Sequence, residues 1–80
     1  MMTNAEKFIA AYQARLEAAV QADPEGYSYP MAEVPAVAAR MVAAMGRGGA
    51  NLSAAAKAAA RDCGIKPTIS GIRAYLEEAQ

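Results

Sequence analysis

Apolar residues recur at helical spacing along four stretches of this chain, and nowhere do they alternate as a strand requires. In the first stretch Phe8, Tyr12, Leu16 and Ala19 fall on one side of a helical wheel, with Ile9 and Val20 beside them. Lys7, Gln13, Glu17 and Gln21 fall opposite, which predicts an amphipathic helix over residues 4–22. Thr3-Asn4-Ala5-Glu6 reads as a capping box at its start, and Asp23-Pro24-Glu25-Gly26 as its stop. The second helix is predicted over 34–46, opening on Pro35 and stopping at Gly46. Its apolar face is Val34, Val37, Ala38, Met41, Val42 and Met45. The third, over 53–63, has Ser53 as N-cap and Gly64-Ile65 as its C-terminal signal. Leu52, Ala55, Ala56, Ala59 and Cys63 face one way; Lys57 and Arg61 face the other. The fourth, over 67–79, opens at Pro67 or Thr68 and turns Ile69, Ile72, Tyr75, Leu76 and Ala79 inward. The expected fold is all-α: a compact small bundle of about four helices forming one domain, residues 1–80.

Three features stand out from this plain pattern. Tyr27-Ser28-Tyr29-Pro30-Met31 is an aromatic connector, read either as a lid over a thin core or as a partner-binding strip. The outer face of the second helix is Ala36, Ala39 and Ala43, with Arg40 its one charge. That helix is therefore either enclosed on two sides or meets another chain, as in a homodimer formed through Ala36, Ala39 and Ala43. Gly71, one turn into the last helix, suggests a close backbone crossing against Ala56, Ala59 or Ala60.

Composition narrows the picture. Of 80 residues, 55% are hydrophobic. Alanine dominates that fraction, so the core is thin: Phe8, Leu16, Val37, Met41, Leu52, Ile69, Ile72 and Leu76 are expected to carry it. One cysteine excludes an intrachain disulfide, and the absence of histidine leaves too few ligands for a structural zinc site. No metal and no cofactor are expected. No apolar run approaches the roughly 20 residues of a membrane span. Glu6 and Lys7, with Arg15 and Glu17, break up any signal-peptide core, so a cytoplasmic location, in a bacterial host cell, is expected.

Formal net charge is zero, yet the charges are segregated. Residues 1–35 carry Lys7 and Arg15 against Glu6, Glu17, Asp23, Glu25 and Glu33. Residues 36–76 carry Arg40, Arg47, Lys57, Arg61, Lys66 and Arg73 against Asp62 alone. Either the two halves neutralise each other across the fold, or the six cations form a surface for nucleic acid or for an acidic protein patch.

Chemistry for catalysis is scarce. Without histidine the commonest general base is missing. Cys63 has no partner to lower its pKa and reads as a small apolar core residue. Arg47-Gly48-Gly49 lacks the strand and the Gly-Lys-Ser/Thr of a phosphate loop and reads as a linker. No enzyme activity and no catalytic residue are expected.

The run from Ala56 to Leu76 resembles a helix-turn-helix, with Ala60 four residues before the turn glycine Gly64 and Ile65 after it. Ile69 lies five residues past that glycine, where the pattern places its core residue six past. The resemblance implies DNA contacts from Thr68, Ser70 and Arg73. As a whole the chain resembles small phage- and prophage-borne all-α proteins. The residues that carry this are Val34-Pro35-Ala36-Val37-Ala38-Ala39-Arg40-Met41, the glycine-rich loop ending in Asn51, and Cys63-Gly64-Ile65-Lys66 leading into Ile72-Arg73-Ala74-Tyr75-Leu76. This resemblance implies a mobile-element accessory protein, a class that includes inhibitors of host defence such as anti-CRISPR proteins. The expected function is binding of a host protein or protein–nucleic acid complex through Arg40, Arg47, Lys57, Arg61, Lys66 and Arg73. The alternative is a helix-turn-helix-like DNA-binding regulator.

Overall fold

The computed structural model describes residues 1–48 and 51–78. Four α-helices make the fold: α1 (Asn4–Ala22), α2 (Val34–Gly46), α3 (Ala54–Asp62) and α4 (Ile69–Glu77). Two single 3₁₀ turns, Pro24–Gly26 and Met31–Glu33, shape the connector between α1 and α2. No strand occurs among the described residues.

The central element is α1, against which α2, α3 and α4 all pack; α2 also packs on α4. Its start is fixed by the reciprocal capping box. Thr3 N–H donates to Glu6 Oε1 at 2.8 Å, and Glu6 N–H donates to Thr3 Oγ1 at 3.1 Å. Phe8, Tyr12, Leu16 and Val20 then bury at helical spacing. They meet Val34, Val37, Ala38, Val42 and Met45 of α2, Ala56, Ala59 and Ala60 of α3, and Ile72 of α4. The three α3 alanines are fully buried. With no side chain beyond Cβ, they allow that helix to lie close on its neighbour.

α3 ends in a Schellman motif. Gly64 adopts φ +73°, Ile65 N–H reaches back to the Ala60 carbonyl at 2.9 Å, and Gly64 N–H reaches the Arg61 carbonyl at 3.0 Å. Ile65 packs half-buried on the core beneath this turn. At the opposite corner Asn4 Nδ2 donates to the Tyr75 carbonyl at 2.9 Å, tying the first turn of α1 to the last turn of α4.

Several expectations shift in detail. Thr68, rather than Pro67, begins α4, its hydroxyl accepting from Gly71 N–H at 3.0 Å. Ala79, expected on the inner face of that helix, lies outside the described residues, as do Gly49 and Ala50 of the glycine-rich loop. Gly46 closes α2 as its last helical residue, but the left-handed position belongs to Gly48, at φ +76°. Gly71 does not meet the α3 alanines. A Cβ there would lie 2.7 Å from the Lys66 carbonyl oxygen, so the glycine accommodates the turn that enters its own helix. Within the expected core, Phe8, Leu16, Val37 and Ile72 are buried, while Met41, Leu52 and Leu76 pack half-buried at its edge. Ile69, in the first turn of α4, is only half-buried and lies outside that cluster.

Candidate functional site

All six cations of the basic segment are exposed. They divide among three places. Arg40 and Arg47 lie two turns apart on the outer side of α2, Arg47 being its C-cap. Lys57 and Arg61 lie one turn apart on the outer side of α3, opposite its buried alanines. Lys66 and Arg73 belong to the turn before α4 and to α4 itself. The fold brings two of these places together. The Arg73 guanidinium lies over Gly48, where a Cβ would sit 3.3 Å from its Nη1, so Arg73 stands beside Arg47 at the C-terminal end of α2. That end offers the free carbonyls of a finishing helix, which favour cations.

Internal neutralisation of these charges is slight. Arg73 has a long contact, 3.8 Å, with Glu77 one turn on. Arg40, Arg47, Lys57, Arg61 and Lys66 have no ion pair among the described residues. Among the described residues, the one ion pair that joins the two halves of the chain runs the other way. Arg15, a cation of the acidic half, grips Asp62, the lone acid of residues 36–76, with Nε to Oδ2 at 2.7 Å and Nη2 to Oδ1 at 2.6 Å. The hydrogen bonds from Arg15 hold the Asp62 carboxyl below its ordinary value and push the guanidinium up. Asp62 is thereby committed to α1, and its neighbours Arg61 and Lys57 stay uncompensated.

The residues implied as DNA contacts have local duties. Thr68 caps α4 with its hydroxyl, which also lies 3.4 Å from Ser70 Oγ. Arg73 lies over Gly48. Both Thr68 and Ser70 are exposed. Ala36, Ala39 and Ala43 are exposed too, so α2 is not enclosed on two sides; the central helix is α1.

Two concavities flank α1. One, of about 470 Å³, is lined by Met2, Lys7, Ala11, Asp62, Cys63 and Tyr75. Cys63 is half-buried there rather than enclosed in the core, its Sγ 3.9 Å from the Lys7 carbonyl. Burial, then the neighbouring Asp62 charge, pushes its thiol pKa up, the reverse of what a nucleophile needs. The other, of about 300 Å³, is walled by Tyr12, Leu16, Tyr29, Val37 and Met41 and rimmed by Tyr27. The connector is thus a lid in part. Tyr29 packs on the core, while Tyr27, its ring 5.7 Å away, stands exposed. Sequence spacing gave no sign of this groove or of the Arg15–Asp62 pair, since each joins residues far apart in the chain. Among the described residues no group of three His, Cys, Asp or Glu side chains is placed to hold a metal ion. No helix there is long and apolar enough to cross a membrane.

The described fold is that of a small all-α helical bundle. No protein family, curated protein or solved structure matches the chain.

Proposed function

We propose that this chain is a non-enzymatic binding protein that engages an acidic host macromolecule through its exposed basic surface, Arg40, Arg47, Lys57, Arg61, Lys66 and Arg73. The observation that carries this reading is the direction of the Arg15–Asp62 pair. It pairs the one acid that lies among the six cations with Arg15 of the other half, and leaves five of the six without an ion pair among the described residues. Exposed charges on rigid helices steer a complementary partner and fix its orientation. The resemblance to phage-borne proteins suggests the setting: a mobile-element protein that blocks a host defence complex, as anti-CRISPR proteins do.

A protein surface is preferred over DNA as the partner. Thr68 and Arg73 are engaged within the chain, and the cations are spread over α2, α3, α4 and the turn before α4 instead of lining one groove-sized helix. A gel-shift at low and moderate salt tests the choice, since phosphate contacts make affinity fall steeply with salt. Weak, sequence-independent binding that disappears at moderate salt fits a protein partner. Tight, sequence-dependent binding would assign the chain to DNA. The Ala36, Ala39 and Ala43 face is free to receive a second copy, and light scattering at high concentration decides that question: a strict monomer removes the homodimer.

A further inference from the structure

The far end of the bundle has the opposite chemistry. Residues 16–39 contain Glu17, Asp23, Glu25 and Glu33 and no Lys or Arg. None of these four carboxylates has an ion pair among the described residues. α1 ends there without a cation in its last turn, so the partial negative charge of its final carbonyls adds to that of Asp23 and Glu25. This end is well separated from the α2 C-terminus. Arg73, whose side chain lies over Gly48, comes two residues before Tyr75, which is bonded to Asn4 at the start of α1, whereas Asp23 caps the other end of a helix about 28 Å long.

The groove of about 300 Å³ opens beside this end: Tyr27 and Tyr29, from the connector that carries Asp23, Glu25 and Glu33, line it with residues from the middle of α1, from α2 and from the start of α3, and the Asp23 carboxylate lies against Gly26, next to Tyr27. Its walls are mostly apolar, with Ser53 among them, and its rim carries Tyr27, which with Met31 is among the few large apolar side chains left exposed. A groove this size is at the lower limit for a small organic ligand but suits the anchoring side chains of a docked helix.

We propose that this groove docks a cationic amphipathic segment of a partner protein. Apolar side chains of that segment seat among Tyr27, Tyr29 and Met41, and its Lys and Arg side chains face Asp23, Glu25 and Glu33. Charge complementarity selects this occupant. A neutral or acidic segment would leave the four carboxylates and the α1 carbonyls without a counter-charge, whereas a cationic one supplies it. The tyrosine faces add cation–π attraction for the same charges. The molecule then has two docking surfaces of opposite sign, and this second one does not depend on the first.

The experiment uses the full chain and two dye-labelled synthetic helical peptides, both with leucines on one face. One carries lysines on the other face and its counterpart carries glutamates. Fluorescence anisotropy should show saturable binding of the leucine–lysine peptide, and binding of the leucine–glutamate peptide at least about tenfold weaker. Tyr27→Ala, and separately Glu25→Gln/Glu33→Gln, should each weaken binding of the lysine peptide several-fold with unchanged helical circular dichroism. Lys57→Glu/Arg61→Glu on the basic surface should not weaken it. Equal binding of both peptides, no binding of either, or indifference to Tyr27→Ala overturns the proposal. So does self-association of the chain that Tyr27→Ala abolishes, because the groove then belongs to a second copy.

Discussion

Arg15 and Asp62, 47 residues apart in sequence, form a two-pronged ion pair that fastens the middle of α1 to the last residue of α3. Each comes from the half of the chain whose net charge it opposes. The pair therefore sharpens the division of charge: it takes a cation from the acidic half and an acid from the basic half. Both side chains are about half exposed, so the pair contributes to orientation more than to stability.

Its pH dependence follows from the lowered Asp62 pKa. A carboxyl held lower in the folded than in the unfolded chain contributes stability that is present above the ordinary aspartate value, about 3.9. That contribution is lost as pH falls through the folded value. Arg15→Gln should remove this contribution: stability near pH 7 falls by the modest amount an exposed pair supplies, and the loss on the acid side of that value flattens by the same amount. Urea unfolding at several pH values checks this. An acid limb identical to wild type would mean that the pair does not hold in solution.

Core substitutions should be severe. Leu16 and Ile72 are almost completely buried, and in an alanine-rich core few neighbours are long enough to fill the space they leave. Leu16→Ala and Ile72→Ala should each cost about 2–5 kcal/mol. In so small a domain this is enough to leave a large unfolded fraction at 37 °C. Thermal melts of both variants test it, and near-native transitions in both would contradict the assigned core.

Two glycines within helices should respond to alanine with opposite signs. At Gly46 a Cβ would meet nothing within 4 Å, so Gly46→Ala should stabilise by roughly 0.5–1 kcal/mol through reduced chain entropy. At Gly71 the same helical preference works against backbone contact. The new Cβ would lie 2.7 Å from the Lys66 carbonyl oxygen, and moving that carbonyl disturbs its bond from Thr68 N–H, 2.8 Å long. Gly71→Ala should therefore destabilise. Denaturant midpoints of the two variants provide the comparison, and equal shifts in one direction would refute the turn geometry.

Much of this fold was legible because its signals are local. Thr3, Ser53 and Gly64 each fix a helix end through bonds to residues three to five away, and the sequence names them directly. The bounds of α1 and α2 are those the apolar spacing predicts. Gly71 was misread because glycine tolerates both a helix crossing and a tight entering turn, and only the path of Lys66 decides between them. The charge division could be read from the sequence, but its consequence could not. Whether Asp62 neutralises Arg61 and Lys57 or turns away to Arg15 depends on how α3 lies across α1.

Cys63 should behave as a sluggish thiol. Partial burial and the nearby Asp62 raise its pKa, so alkylation by iodoacetamide at neutral pH should be slower than that of an unstructured cysteine peptide. The rate should climb with pH beyond the range where the peptide has levelled off. Rapid labelling at neutral pH would show that the thiol is activated and would reopen a chemical role for it.

The central claim is that the unneutralised cations recognise a partner, and affinity capture tests it most directly. Tagged wild type and Lys57→Glu/Arg61→Glu are compared in bacterial lysate. Both positions are exposed on the outer side of α3, so the double substitution should leave folding intact, as circular dichroism can verify. Wild type is predicted to retain a discrete protein partner that the double variant loses. Recovery of every partner by the double variant, at the same yield, would contradict a role for this surface in binding.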